Sequence, residues 1–334
     1  MNFWSSLEKP ILALAPMEGV TDTAFRQIAK TWGADVVYTE FTAAEAIFHR
    51  ARRAMERLEF NPSERPVIAQ IFGREPEAFV QAVKLIGQMG FAGLDINFGC
   101  PARKVVAKGA GVALLRDPQY ARRLVGLALE NTTLPVSMKI RTSIRKERQS
   151  LDANQADVHT AVDFIAALHG LPVAAVMVHG RSYEQGHHGE VDAAMIRQVK
   201  KHFHGPVLAN GGIFTPERVP QMLSETMADG VGIARGAWGQ PWIFQQTKRL
   251  LKAGGYESVD WRNLKQTIID HARLVVKTRG ERGLIEFRKH LAKYVSGFPR
   301  ASEFRNQAVR INTLADVDEL IKNIEKQTAV SESD

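Results

Sequence analysis

Eight short apolar runs alternate with longer amphipathic stretches along most of this chain, and that alternation restricts the fold more than any single residue does. The runs are 11–17, 36–41, 67–73, 93–99, 135–141, 174–180, 206–212 and 230–236. Between and after them, helical spacing is seen over 21–32, 43–58, 76–89, 118–130, 156–169, 193–202, 216–227 and 241–251. Strands that are apolar almost throughout suit a parallel sheet covered on its outer side, and strict strand-helix alternation specifies such a sheet. Eight units in about 250 residues is the (β/α)8 barrel, with a doubly wound open sheet as the alternative. Asp117-Pro118 and Thr215-Pro216 each offer a capping side chain followed by proline, which predicts helix starts at 118 and 216.

The pattern changes after Lys252-Ala253-Gly254-Gly255. From Trp261 onward only helical spacing is found, over 261–278, 284–295 and 315–327, before a Ser331–Asp334 tail expected to be disordered. Residues 1–254 are therefore expected to form the barrel, and 255–334 a small all-helical domain. Charge follows the same division: 260–310 holds twelve Lys or Arg against five Asp or Glu, whereas 311–334 holds two against six. The basic block is either a solvated helical surface or a face for a polyanion. Hydrophobic residues at 45% and charged residues at 24% are ordinary for a globular protein. No stretch approaches the roughly 20 apolar residues that span a bilayer, so no membrane is expected. One cysteine in 334 residues excludes a disulfide framework and fits a reducing compartment, read as the cytoplasm.

That cysteine, Cys100, follows the run Leu94 to Phe98 and sits between Gly99 and Pro101, which end a strand sharply. A lone thiol is either a small buried hydrophobe or a chemical group. Its position on a loop at a strand exit favours the second. Polar residues recur at the other exits: Glu18, Gln70, Asn97, Lys139, Arg141, His179, Arg181, Asn210 and Arg235. In a barrel these ends converge on one mouth. Lys139 and Arg141, two apart, share a strand face. A buried lysine requires an anionic neighbour, either a ligand or a structural partner such as Asp95. Asn210-Gly211-Gly212 and Arg235-Gly236 close the last two strands, where barrels hold phosphate on backbone N–H groups. The absence of G-x-G-x-x-G after a strand argues against tight dinucleotide binding. His187-His188 and His202-x-His204 lack a partner at ligand spacing, so no metal is expected.

Taken together, the segments beginning Ala15-Pro16-Met17-Glu18-Gly19, Asp95-Ile96-Asn97-Phe98-Gly99-Cys100-Pro101, Met138-Lys139-Ile140-Arg141, His179-Gly180-Arg181 and Ala209-Asn210-Gly211-Gly212 resemble the bacterial tRNA-dihydrouridine synthases, most nearly the B-type subgroup. Phe287-Arg288-Lys289-His290 and Gly297-Phe298-Pro299 are similar to that family's helical domain. The resemblance implies an FMN-bearing barrel and a helical domain that clasp tRNA, reducing a uridine to 5,6-dihydrouridine at the expense of NADPH. It implies that Cys100 is the general acid, giving a proton to C5 while hydride reaches C6 from the flavin. A thiol with an ordinary pKa near ~8.5 is mostly protonated at neutral pH, which suits that role. By the same resemblance, Pro16, Met17 and Gln70 contact the isoalloxazine, and Lys139 sits beside its N1–O2 edge. Asn210, Gly211, Gly212, Arg235 and Gly236 form its ribityl and phosphate site. Asn97, Arg141 and His179 hold the flavin or the flipped uracil, and Arg181, Arg288 and Lys289 are further contacts with the substrate. The chain is expected to act as a monomer. It departs from the family pattern at Ser182, His187 and Ala193, and in the charged segment 144–157. Two other readings fit parts of the sequence: an FMN barrel acting on a free small molecule, and a non-catalytic tRNA-binding protein.

Overall fold

A computed structural model describes residues 2–145 and 158–331. All eight expected strands form: β1 (Ile11–Leu14), β2 (Val36–Tyr38), β3 (Val67–Phe72), β4 (Gly93–Phe98), β5 (Val136–Arg141), β6 (Ala175–His179), β7 (Val207–Asn210) and β8 (Gly230–Ile233). Every neighbouring pair is parallel, from β2–β1 and β1–β8 round to β4–β3, and Val37 opposite Val67 closes the ring. The fold is a closed (β/α)8 barrel, not an open sheet. A two-residue strand, Thr42–Ala43, pairs parallel with the end of β3, and a hairpin of Ser143–Arg145 with Val158–Thr160 follows β5.

Strand alternation divides the core. Leu94, Ile96 and Phe98 of β4, with Val136, Met138 and Ile140 of β5, face outward into the layer shared with the helices. Ile11, Ala13, Val36, Tyr38, Ile68, Met177 and Leu208 fill the barrel interior, and Trp4 packs with them beside a short turn at Phe3–Ser6. Asp95, Asn97, Ser137, Lys139 and Arg141 occupy the inward phase of β4 and β5, where they enter the barrel or its mouth.

The outer helices start where the sequence caps them. Asp22 accepts from the Phe25 N–H ahead of α1 (Thr23–Thr31), and Asp117 accepts from the Tyr120 N–H at the Pro118 helix start. Two expectations are corrected. The stretch 43–58 forms two helices, α2 (Ala44–Phe48) and α3 (Arg52–Arg57), because Arg50 adopts a left-handed φ of 49° that breaks the first. No glycine marks that break. Thr215-Pro216 opens a turn rather than a helix, which begins at Arg218 with no side-chain cap. The remaining outer helices are α4 (Pro76–Gln88), α5 (Arg103–Val106), α6 (Pro118–Asn131), α7 (Ala161–Ala167), α8 (Ala193–His202), α9 (Arg218–Thr226) and α10 (Ile243–Ala253).

Beyond Gly254, α11 (Trp261–Arg279), α12 (Gly283–Tyr294), α13 (Ala301–Ala308) and α14 (Leu314–Ser331) pack a second core around Ile268, Phe287, Leu291, Phe304, Leu320 and Ile324. Ala24 of α1 belongs to that core, so the helical unit sits against the flank of the barrel's first helix. The sequence misses α13 because only Phe304 and Ala308 are buried along it, too few for a period. Most of the charged segment 144–157, and the tail beyond residue 331, lie outside the described residues.

Candidate active site

A pocket of about 420 Å³ opens at the carboxyl ends of the strands, within the size range of cofactor sites. Its walls bring together Pro16, Met17, Asn97, Cys100, Lys139, Arg141, His179, Arg181, Asn210, Gly211, Gly212, Arg235 and Gly236, all read from sequence as site residues. Three others stand elsewhere. Gln70 does not line the pocket, because both ends of its amide are engaged inside the barrel. Arg288 donates to the Ile311 carbonyl at 2.8 Å and to Asn312 Oδ1 at 2.7 Å, so its guanidinium ties the helical unit together. Lys289 lies outside the pocket wall, its ammonium 3.6 Å from where a Cβ on Gly19 would sit, in the loop after β1.

A chain of hydrogen bonds rises from the barrel interior to the backbone of the cysteine loop. Ser137 Oγ donates to Asp95 at 2.6 Å, and Gln70 Nε2 donates to the same carboxylate at 2.7 Å. Asn97 Nδ2 donates to Gln70 Oε1 at 3.0 Å. Asn97 Oδ1 then accepts the N–H groups of Gly99 at 2.9 Å and Cys100 at 2.8 Å. The cysteine loop is thus held through its backbone. Burial pushes the Cys100 thiol up from its usual range, and the Glu18 carboxylate adds to that, while Arg141 and Lys139 oppose it. The group stays protonated at neutral pH. Cys100 is 6% exposed and packs with Val105 and Ala110, and it also lines the pocket.

Lys139 has no carboxylate within 4.0 Å among the described residues. The alternative pair with Asp95 does not form; Asp95 is taken up by Ser137 and Gln70, and burial raises its carboxyl to about 6. Lys139 is lowered to about 8, first by burial and then by Arg141, with Asp95 and Cys100 only partly offsetting this. Arg141 is pinned by donation to the carbonyls of Gly99 at 2.9 Å, Ser182 at 2.8 Å and Gly186 at 2.8 Å. Burial, with Lys139, Arg141, Arg181 and His187 around it, keeps His179 a neutral imidazole. Glu18 is the one carboxylate among the pocket's described lining residues, so the wall is strongly electropositive.

The β7 and β8 exits form a cradle. Gly211 and Gly212 have φ of +112° and +71°, and a Cβ on Gly211 would meet His179 at 2.9 Å and Arg181 Nη1 at 3.2 Å. A Cβ on Gly236 would meet the Ile213 carbonyl oxygen at 2.0 Å. Arg181 Nε donates to the Gly189 carbonyl at 2.9 Å, but its Nη1 is buried with no hydrogen-bond partner among the described residues. An unpartnered cationic donor beside open backbone fits an anionic oxygen.

Sequence reasoning passed over Phe41, Phe214 and Trp238, which also line the pocket. Each is an aromatic in a loop just after a strand, and that is the signal that would have found them. His187 lines the pocket too, 5.9 Å from the His179 ring, whereas His202 and His204 line a separate cavity at the opposite end of the barrel.

Comparison with known proteins agrees with this geometry. The dihydrouridine synthase family model matches residues 13–332. The chain is 33% identical over 306 residues to tRNA-dihydrouridine synthase B of Xanthomonas axonopodis pv. citri, covering 91% of this chain and 89% of that protein. It is 34% identical over 304 residues to a probable tRNA-dihydrouridine synthase of Rickettsia conorii, covering 90% and 89%. It is 32% identical over 309 residues to probable tRNA-dihydrouridine synthase 1 of Synechocystis, covering 92% and 84%. With matches of that length and a barrel whose mouth gathers the cysteine, the lysine and the glycine cradle, the chain belongs to the dihydrouridine synthase family.

Proposed function

We propose that the chain reduces a uridine in tRNA to 5,6-dihydrouridine, with FMN held in the pocket and NADPH as reductant. The observation that carries this reading is the meeting, in one cavity, of a buried protonated thiol and a glycine-lined cationic cradle with a guanidinium nitrogen unpartnered among the described residues. The cradle fits a phosphate monoester: Arg181 and Arg235 supply charge, and Gly211, Gly212 and Gly236 leave backbone open where any side chain would intrude. Pro16, Met17, Lys139 and His179 line the space left for the ring system, and Asn210, whose Nδ2 donates to the Gly232 carbonyl at 2.7 Å, fixes the β7 exit.

When bound and reduced by NADPH, FMN supplies the hydride that C6 of the pyrimidine receives. The residues of the chain do the rest. Cys100 gives its Sγ proton to C5, and the resulting thiolate is stabilised by Arg141 and Lys139 until solvent reprotonates it. Asn97 positions that thiol through its two backbone hydrogen bonds. Arg141, fixed by three carbonyls, and Arg181 present donors to the pyrimidine and to the phosphate cradle. A base reaches such a depth only by leaving its stack. Residues 1–254 act as the flavin-bearing barrel and 255–334 as the tRNA-binding unit. Lys289 and Lys293 of α12 flank the mouth, beside Gly19 and Trp238. No helix among the described residues is long and apolar enough to cross a membrane. A tRNA substrate and a free thiol set the reaction in the cytoplasm, and one chain supplies the whole pocket, so a monomer suffices.

The test is turnover. Purified protein is expected to be yellow, to release FMN on denaturation, and to form dihydrouridine in tRNA from a strain lacking this gene when NADPH is added. Colourless protein that cannot bind FMN, or tRNA left unmodified by flavin-loaded enzyme, would overturn the reading.

A further inference from the structure

Three aromatic rings line the pocket among the described residues, and their surroundings differ. Phe214 has the Arg235 guanidinium 5.5 Å from its ring centre, and Trp238 has the Lys293 ammonium at 5.2 Å. Both stand on the β7–β8 side, with the phosphate cradle. Phe41, in the loop after β2, has no such cation among the described residues. It packs instead against the small cluster that contains Cys100, Val105 and Ala110. Phe72 meets it at 5.4 Å with the planes at 69°, and a T-shaped pair takes up at most one face of each ring. Its backbone is tied as well: the Phe41 carbonyl accepts from Arg57 Nη1 at 3.5 Å, while Arg57 Nη2 reaches Glu18 on the pocket wall at 3.2 Å.

A large half-buried aromatic, braced by a second ring and opening into a pocket next to the acid, exceeds what holding a loop requires. We infer that Phe41 is a positioning residue for the pyrimidine: its ring forms the apolar wall, on the Cys100 side of the slot, against which the target base packs. This inference rests on the function proposed above. An aromatic wall serves two ends. It holds C5 within reach of Sγ, and it keeps water from the thiol beside it. Base–aromatic packing tolerates many bases, so Phe41 fixes the depth and plane of the base rather than its identity.

The test uses flavin-loaded full-length enzyme, reduced with NADPH and mixed with unmodified tRNA in single turnover. Phe41→Ala is expected to slow dihydrouridine formation by about 10- to 100-fold, the range for loss of one base–aromatic contact. The tRNA Kd is expected to change by less than about threefold, since phosphate contacts supply most of the affinity. Phe41→Tyr should restore most of the rate, and Phe41→Leu, which fills similar space without a π-face, should not. Should Phe41→Ala prove too unstable to purify, the Leu and Tyr pair carries the same contrast. The inference is overturned by a Phe41→Ala rate close to wild type, by full activity of Phe41→Leu, or by a Kd that rises in step with the rate loss. Failure of the wild-type enzyme to modify tRNA would instead remove the underlying function.

Discussion

Replacing Cys100 by alanine separates the chemistry of the thiol from its role in packing. The loop keeps its main anchors without sulfur, losing only the contact of the Ala102 N–H with Sγ: Asn97 Oδ1 binds the N–H groups of residues 99 and 100, and the Cys100 carbonyl accepts from Val112 N at 3.2 Å. Deleting Sγ leaves a gap of one heavy atom beside Val105 and Ala110. That costs on the order of 1 kcal/mol, as for other single-group core deletions, and lowers Tm by roughly 1–2 °C in a chain of 334 residues. The catalytic loss is larger. A positioned general acid is worth about 10²- to 10⁴-fold, or roughly 2.7–5.4 kcal/mol of barrier. Bound flavin and tRNA affinity should remain, because neither the phosphate cradle nor α12 touches Sγ. The assay measures dihydrouridine per tRNA in single turnover, with flavin absorbance and NADPH reduction recorded in parallel. The acid works in its protonated form, so its contribution is lost only as pH rises through the thiol pKa, which burial has moved up. Wild-type rates should therefore show no thiol-dependent decline between pH 6 and about 8.5, the ordinary thiol value. Alanine at position 100 with a rate within tenfold of wild type, at unchanged flavin content, would refute the reasoning.

Other perturbations test the supporting structure. Asn97→Ala leaves the Gly99 and Cys100 N–H groups and the Gln70 carbonyl without partners, so a loss of about 2–4 kcal/mol in denaturant stability is expected, together with slower turnover. Gly211→Ala forces a side chain into a φ of +112° and against His179 and Arg181; flavin affinity should fall more than about tenfold, read by titration of the apoprotein. Asp95 has a carboxyl raised from 3.8 to about 6, so the folded state binds the extra proton between those values and stability falls as pH rises through them. Asp95→Asn abolishes that dependence: relative to wild type it should gain roughly 2 kcal/mol between pH 4 and pH 7, and parallel pH curves for the two proteins would contradict the assignment. Lys289→Glu should weaken tRNA binding and flatten its dependence on log salt by about one or two counterions, with flavin content unchanged; an unaltered slope would remove α12 from the interface.

The barrel was legible because its evidence is periodic. Eight apolar runs and their intervening helices repeat one pattern, and only the ends moved, as where Arg50 divides one helix into two. The site residues on strands were equally readable: alternation alone sets Lys139 and Arg141 on one face, and the structure has both in the pocket wall. What escaped depended on partners distant in sequence. Nothing in Val67–Phe72 says that the Gln70 amide is taken up by Asp95 and Asn97, so its polarity at a strand end reads as a ligand contact. Asp95 and Lys139 look like a natural pair until Ser137, on the neighbouring strand, is found satisfying the carboxylate. Arg288 carries the charge of a nucleic-acid contact, yet its donors reach Ile311 and Asn312 across a turn that sequence does not locate. The aromatic rings at the mouth were passed over because single hydrophobic residues in loops carry no period.

The chain of hydrogen bonds from Ser137 through Asp95, Gln70 and Asn97 means that the aim of the sulfur is decided two storeys below it, in the floor of the barrel. Grafting the segment around Cys100 onto another eight-stranded scaffold would carry over the nucleus of the motif without its alignment. A designer borrowing this chemistry must transplant the polar column from three strands, and a lineage that keeps the rim but alters the column retains the cysteine while losing its bearing.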